Sequence, residues 1–144
     1  MEDALRKQVR AFNRFFAVKI RVFNRYVFGT PYSLVEGRII GEIGRNAGCT
    51  ANRIADALQM DKSYLSRVLA KLEDAGLISK SVSENDNRKK HLNLTESGLV
   101  LYDELERLSD DQVDDMLAGL DAEQTKQVLL SMRTIQSILE ERHE

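Results

Sequence analysis

Apolar residues recur at steps of three and four along the first 28 positions, a spacing typical of one face of an α-helix. They are Leu5, Val9, Phe12, Phe16, Ile20, Phe23 and Val27. Five arginines supply most of the polar side of the same segment. The pattern predicts one long amphipathic helix over residues 3–28. We expect it to end at Gly29-Thr30-Pro31, because glycine caps helices and proline cannot continue them.

Capping signals divide the next part of the chain into three shorter helices. Ser33 and Glu36 have the spacing of a capping box, which predicts a helix that ends near residues 46–48. Thr50 is suited to cap a helix over residues 51–58. Asp61 is suited to cap another over residues 62–75, closed by Gly76.

A hairpin and two further helices complete the pattern. Residues 77–83 and 91–95 have the composition of strands, and the polar, turn-rich residues 84–90 lie between them. Thr95 can cap a helix to about Leu117, and Gly119 separates it from a last helix that starts at residues 121–124. The predicted fold is therefore mainly α with a small β-hairpin.

Residues 51–68 have the features of a helix-turn-helix. Ala55 is small where the second helix must cross the first, and Ile54, Leu58, Met60, Leu65 and Val68 can wedge the two helices together. Gln59 takes the turn position where glycine is common, and a left-handed conformation there costs glutamine more than glycine. An ordinary helix pair in an all-α core is the alternative that this motif alone leaves open.

The outward positions of the second helix are polar, as a major-groove reading helix requires. They are Lys62, Ser63, Tyr64, Ser66, Arg67 and Lys71. Arg67 can make a bidentate contact to guanine, and Ser63 and Ser66 can reach bases or phosphates. The hairpin tip adds Asp86, Arg88, Lys89 and Lys90, with the spacing of a wing whose arginine enters the minor groove. A solvated charged turn is the other interpretation of this tip.

Charge is distributed unevenly, although the formal net charge is only −2. Residues 1–30 hold seven Lys/Arg against two Asp/Glu, and residues 62–91 hold seven against four. Residues 96–144 hold four against thirteen, so the acid lies in the C-terminal third. Screening lets a basic centre face phosphates despite a distant acidic end.

Two of these motifs together resemble the MarR family of bacterial and archaeal regulators. Residues 61–78, DKSYLSRVLAKLEDAGLI, are similar to its recognition helix, and Asp86-Asn87-Arg88 followed by residues 92–98, LNLTESG, resembles its wing. The resemblance covers nearly the whole chain. It implies a homodimer on a palindromic operator, with Ser63, Tyr64, Ser66 and Arg67 facing bases and Arg88 in the minor groove. Arg38 is a further candidate for a phosphate contact.

The N-terminal stretch, residues 9–16 with 29–34, is also similar to the regulator half of MarR–acetyltransferase fusions. The chain stops at Glu144 without room for an acetyltransferase domain, so we expect no such activity from these residues. Family members commonly release DNA when a small, often aromatic acid binds. The resemblance thus implies an anionic or aromatic effector, for which Arg14, Tyr32 and Arg38 are candidate contacts.

The expected organisation has three parts. Residues 1–30 form an N-terminal dimerisation helix, residues 31–98 a winged helix-turn-helix that binds double-stranded DNA, and residues 99–144 C-terminal dimerisation helices. Packing of both end helices on their own core is the alternative to a dimer. We favour a dimer, because a single helix-turn-helix reads too few base pairs for genomic specificity.

Other function classes find little support. A single cysteine excludes an internal disulfide and fits a reducing, cytoplasmic setting, and redox sensing through Cys49 is a weaker hypothesis. We expect no metal, cofactor, catalytic residue or membrane span, because no motif for any of them occurs. The leading hypothesis is a specific regulator, a repressor released by an effector. An architectural DNA binder of low specificity and a winged helix used only for protein contacts are the alternatives.

Overall fold

The computed structural model describes residues 1–82 and 89–142 of the chain. Six helices and one two-stranded sheet follow one another in the described residues, in the predicted order. They are α1 (Asp3–Lys19), α2 (Leu34–Arg45), α3 (Ala51–Leu58), α4 (Lys62–Asp74), β1 (Ile78–Val82), β2 (Lys90–Leu94), α5 (Glu96–Leu117) and α6 (Ala122–Glu141). A short 3-10 turn, Val27–Gly29, lies between α1 and α2.

Helix α1 is shorter than the apolar spacing predicts, and the prediction of a helix to residue 28 is wrong. The helix ends at Lys19, and Arg21 adopts a left-handed φ of 59°. The Arg21 N–H donates to Val18 O at 3.1 Å, and the Val22 N–H donates to Ala17 O at 3.1 Å. This pair of bonds is the Schellman arrangement that normally uses glycine at the left-handed position. Because an arginine takes that position here, no glycine in the sequence marks the end of α1.

The predicted caps of the next three helices are present. The Glu36 N–H donates to Ser33 Oγ at 3.1 Å, and the Ser33 N–H donates to Glu36 Oε1 at 3.0 Å, which completes the capping box. Thr50 Oγ1 accepts a bond from the Arg53 N–H, and Asp61 Oδ2 accepts one from the Tyr64 N–H. Each cap satisfies an amide that the helix itself leaves unpaired.

The hairpin strands are antiparallel, with Ile78 opposite Leu94 and Lys80 opposite Leu92. The loop before α3 joins this sheet through an isolated bridge between Cys49 and Leu92. The Leu92 N–H donates to Cys49 O at 2.8 Å, and the Gly48 N–H donates to Leu92 O at 2.9 Å. These bonds fix the base of the hairpin to the start of the helix-turn-helix.

The chain divides into two compact units, Met1–Ser109 and Asp110–Glu144. The first unit contains the hydrophobic core, and its fully buried large side chains are Ile39, Ile40, Ile43, Ile54, Leu65, Leu72 and Leu92. Within the second unit, none of the described residues is buried. The core therefore sits under α2, α3, α4 and the hairpin, and it supports the surface considered below.

No described helix combines the length and apolarity that crossing a membrane requires. In the same part of the chain, no three His, Cys, Asp or Glu side chains lie together in a way that could hold a metal ion.

Candidate nucleic-acid interface

Helices α3 and α4 form the predicted helix-turn-helix. Ala55 is only 4% exposed, and Ile54 and Leu65 are each 1% exposed, so these three residues lie in the core. Leu58 and Met60 are partly buried against the same core. Gln59 at the turn has φ 51° and ψ 48°, and its side-chain amide donates to Asp56 O at 2.7 Å. Gln59 thus adopts the left-handed conformation expected at this turn, and its side chain helps to stabilise the turn.

Helix α4, which we call the recognition helix, has a buried apolar face and an exposed polar face. Leu65, Val68, Leu69 and Leu72 are buried, and they fix the orientation of the helix on the core. All six polar residues named from the sequence (Lys62, Ser63, Tyr64, Ser66, Arg67 and Lys71) are exposed. The first turns of the recognition helix are therefore open to a ligand, and contact of these side chains with bases stays a prediction.

Arg67 lies over the ring of Tyr64, with 5.8 Å between its guanidinium carbon and the ring centroid. The separation is within the range of a cation–π contact, one turn apart on the same helix face. Such a contact limits the rotamers of the long arginine side chain. It therefore restrains a planar, five-donor group on a helix where Ser63 and Ser66 are also exposed.

Lys71 is exposed like the other polar residues of the recognition helix, but it forms an ion pair. Its Nζ lies 3.3 Å from Glu36 Oε2, across the contact between the recognition helix and α2. Arg38, the other cation predicted to meet a phosphate, is exposed on α2. The structure therefore distinguishes an ion-paired Lys71 from the cations of the first turns.

The base of the wing is well anchored, whereas its tip lies partly outside the described residues. His91 Nδ1 donates to Gly48 O at 2.8 Å, beside the backbone bridge to Cys49. Lys89 and Lys90 are exposed. Asp86 and Arg88 belong to residues 83–88, which the structure does not describe, so their predicted minor-groove role stays a prediction.

A cleft of about 210 Å³ lies between the start of α3, the recognition helix and the wing. Three lysines line it, namely Lys62, Lys80 and Lys90, and we call it the lysine cleft. Ala51, Asn52, Leu65, Ser66, Leu69 and Leu92 complete its walls. Lys80 was not predicted as part of the site. Its Nζ lies 3.9 Å from Glu73 Oε1, and its position opposite Leu92 in the sheet places it on this cleft.

Two other sequence hypotheses concern redox sensing and effector binding. Cys49 is 7% exposed, and burial raises the pKa of its thiol, with Arg53 opposing the shift. A thiol of this kind is a poor nucleophile at neutral pH, which argues against a redox sensor. The three candidate effector contacts differ in burial. Arg14 and Arg38 are exposed, whereas Tyr32 is partly buried and packs on the core. None of these three residues lines the lysine cleft.

Comparison with known proteins supports the motif. Residues 29–89 match the model of the MarR family. The HTH-type transcriptional regulator PetP of Rhodobacter capsulatus is 34% identical over 108 residues, which make up 72% of this chain and 63% of PetP. The match thus spans just under two thirds of that relative's length. The further resemblance of the N-terminal stretch to acetyltransferase fusions stays a prediction.

Solved structures share the fold. FabT of Streptococcus pneumoniae, crystallised in complex with DNA, is 24% identical, with a TM-score of 0.77 over 96% of this chain and 99% of that one. BpsR of Bordetella bronchiseptica, whose DNA binding is regulated by 6-hydroxynicotinic acid, is 15% identical. Its TM-score is 0.73 over 90% of this chain and 98% of that one. These likenesses confirm the predicted fold class.

Proposed function

We propose that the chain is a sequence-specific transcriptional repressor of the MarR family of winged helix-turn-helix regulators, whose family model matches residues 29–89. We propose that it binds a palindromic operator as a homodimer and that a small anionic or aromatic effector releases it. The observation that carries the proposal is the division of the recognition helix into a buried apolar face and an exposed polar face. Such a face on a rigid core suits insertion into the major groove.

Electrostatics favours DNA as the partner. The lysine cleft brings Lys62, Lys80 and Lys90 to the space between the recognition helix and the wing. Cations in that position can neutralise backbone phosphates and release counterions, which supplies most of the sequence-independent affinity. Arg67 and the hydroxyls of Ser63 and Ser66 then provide donors that can discriminate base edges. Affinity and specificity thus have separate sources on one surface.

Exposed apolar side chains at both ends of the chain support the pairing of two copies. Helix α1 buries none of its residues, and Val9, Phe12, Phe15 and Val18 are 49–64% exposed. Helix α6 also buries none of its residues, and Ile138 on it is 61% exposed. Exposed apolar side chains that recur along a helix are unfavourable in water and mark an interaction site. A second copy of the chain is the occupant we propose.

Repression and its release complete the proposal. Repression requires nothing beyond occupancy of the operator, because a bound dimer excludes other proteins from the same DNA. The relatives that the chain resembles include BpsR, whose DNA binding 6-hydroxynicotinic acid regulates. Arg14, Tyr32 and Arg38 remain our candidate contacts for an anionic or aromatic effector here. The relatives are regulators rather than enzymes, which agrees with the expectation from the sequence.

A competition experiment with an arginine variant tests the DNA-binding role. A duplex that the full chain selects from a random pool should resist competition by random duplex by about three orders of magnitude or more. Arg67→Ala should cost about 1–3 kcal/mol of binding free energy and relax specificity at one base position. Arg107→Ala, an exposed arginine on α5, is the control and should leave binding unchanged.

The same experiment separates the alternative functions. A small ratio between selected and random duplex would identify an architectural binder of low specificity. Unchanged affinity in both Arg67→Ala and Arg88→Ala would favour a winged helix used for protein contacts only.

A further inference from the structure

Glu36 is unusual among the residues that the structure describes, because it is the one polar or charged residue in the buried class. Its side chain is 11% exposed, and it lies in the first turn of α2. A buried carboxylate is unfavourable unless its oxygens receive hydrogen bonds or a countercharge. The partners of Glu36 therefore decide what the residue does.

The two carboxylate oxygens of Glu36 bind in two directions. Oε1 accepts from the Ser33 N–H at 3.0 Å, which completes the cap of α2. Oε2 lies 3.3 Å from Nζ of Lys71, which belongs to the recognition helix. A capping glutamate needs only the first of these contacts. The second joins α2 to the recognition helix, at a point 35 positions further along the sequence.

The chemistry of the site keeps this carboxylate charged. Burial alone would raise the pKa of Glu36, but hydrogen bonds from Ser33 and from Lys71, with the charge of Lys71, lower it below the ordinary value of 4.5. Lys71 itself has a 72% exposed side chain. Most of this side chain is thus in solvent, although its Nζ lies within ion-pair distance of a buried carboxylate.

We infer that Glu36 is a positioning residue for DNA recognition, which acts by holding the recognition helix to α2 through Lys71. Lys71 then belongs to the support of the helix and is not one of its phosphate contacts. This inference rests on the proposed function, and it revises the prediction that Lys71 binds DNA. This carboxylate thus joins the first turn of α2 to the recognition helix, in addition to the hydrophobic core that the two helices share.

A purely electrostatic role and a positioning role of Glu36 predict opposite effects of Glu36→Gln on DNA binding. The inference can therefore be tested. If only charge matters, Glu36→Gln removes a negative charge near DNA and should tighten binding, whereas Lys71→Met should weaken it. If the pair positions the helix, both substitutions should weaken binding. Glu36→Gln keeps an oxygen that can accept the Ser33 N–H, so the α2 cap is preserved.

The measurement is the dissociation constant of the full chain for its selected duplex, as a function of NaCl concentration. We expect Glu36→Gln and Lys71→Met each to weaken binding roughly threefold or more, with no further loss in the double variant. Neither should change the slope of log K against log salt. Lys62→Met, which removes a cation of the lysine cleft, should reduce that slope by about 0.9. Lys71→Arg should retain the affinity of the unsubstituted chain.

Glu42→Gln is the matched control. Glu42 also lies on α2 and is ion-paired, but its partner is Arg45 of the same helix, 3.0 Å away. Removal of the Glu42 charge should not weaken DNA binding. The inference is overturned if Glu36→Gln binds as tightly as the unsubstituted chain, or if Lys71→Met reduces the salt slope by about 0.9.

Failure of the proposed function would look different. If the unsubstituted chain selects no DNA, the regulator proposal fails, and amide hydrogen exchange of the free protein then decides the inference. Faster exchange in the recognition helix of both Glu36→Gln and Lys71→Met, but not of Glu42→Gln, supports the link. Unchanged exchange in those two variants overturns it.

Discussion

Gly98 lies directly against the backbone carbonyl of Leu77, at a separation that leaves no space for a β-carbon. The same carbonyl accepts the Thr95 N–H at 3.0 Å, and the Thr95 hydroxyl donates to Gly76 O at 2.6 Å. Thr95 Oγ1 also accepts the Gly98 N–H at 3.1 Å. The first turn of α5 is thereby packed onto the junction between the recognition helix and β1. These contacts thus explain the threonine and the glycine of the Thr-Glu-Ser-Gly motif.

Gly98→Ala should destabilise the fold by about 1–3 kcal/mol, because the added methyl group meets backbone that cannot move without displacing β1. Thermal or urea unfolding of the full chain measures the effect. Gly41→Ala on α2 is the control, since the three atoms nearest to its β-carbon would all belong to the flexible end of the Arg45 side chain. That control should be neutral or stabilising by up to about 1 kcal/mol. Equal stability of both variants would contradict the packing described for Gly98.

The ion pair of Glu36 predicts a dependence of stability on pH. Its hydrogen bonds and Lys71 lower the pKa of the folded state below 4.5, so the ionised carboxylate stabilises the fold. That contribution is present above the pKa of the unfolded chain and is lost as pH falls through the folded pKa. The difference in unfolding free energy between the unsubstituted chain and Glu36→Gln should therefore shrink from about pH 5 to about pH 3.

Glu104→Gln is the comparison for that titration. The hydrogen bond from Arg107 lowers the pKa of Glu104 as well, but this carboxylate is exposed on α5. Exposed pairs contribute little to stability, so Glu104→Gln should follow the unsubstituted chain at each pH. A difference for Glu36→Gln that stays constant over the whole range would exclude the ionised pair as its cause.

Cys49 should be inert in the folded protein. Its thiol is buried, and burial raises its pKa, so little thiolate is available at neutral pH. We expect a thiol reagent to modify Cys49 much more slowly in the native chain than in urea. Treatment with hydrogen peroxide should leave DNA affinity unchanged. Loss of affinity that a reductant restores would instead support a redox sensor.

The exposed apolar residues of the end helices predict a dimer that charge disrupts. Val9→Glu on α1 and Ile138→Glu on α6 should each shift the chain from dimer to monomer in sedimentation velocity. Both side chains are more than half exposed in the single chain, at 52% and 61%, so the fold should survive. Lys7→Glu, on an exposed part of α1, should leave the dimer intact. A monomer in the unsubstituted chain would contradict the proposed pairing.

Local signals explain what could be predicted from the sequence. The caps at Ser33, Thr50 and Asp61 depend on residues three positions apart, and all three are present. The exposed face of the recognition helix follows from the buried positions of its own apolar residues. The wing strands are likewise indicated by Leu92 and Leu94 at alternate positions and by the polar residues 84–90 between the strands. Each of these features is encoded within a few neighbouring residues.

Tertiary contacts explain what was missed. The end of α1 depends on Arg21 in a left-handed conformation, which apolar spacing does not encode. Lys71 and Glu36 meet only after two helices pack, so the sequence suggested a free cation where there is an ion pair. Lys80 joins the lysine cleft through its position in the sheet opposite Leu92. No motif marks any of these residues.

Selection of bound sites from a random DNA pool, using the full chain, tests the proposed reading of DNA most directly. The expected result is one enriched inverted repeat, with half-site centres about 10 base pairs apart, or one helical turn. Arg67→Ala should lose preference at a single symmetric position of that repeat. A pool without an enriched motif, or a motif that lacks two-fold symmetry, would contradict a dimer that presents two recognition helices to one duplex.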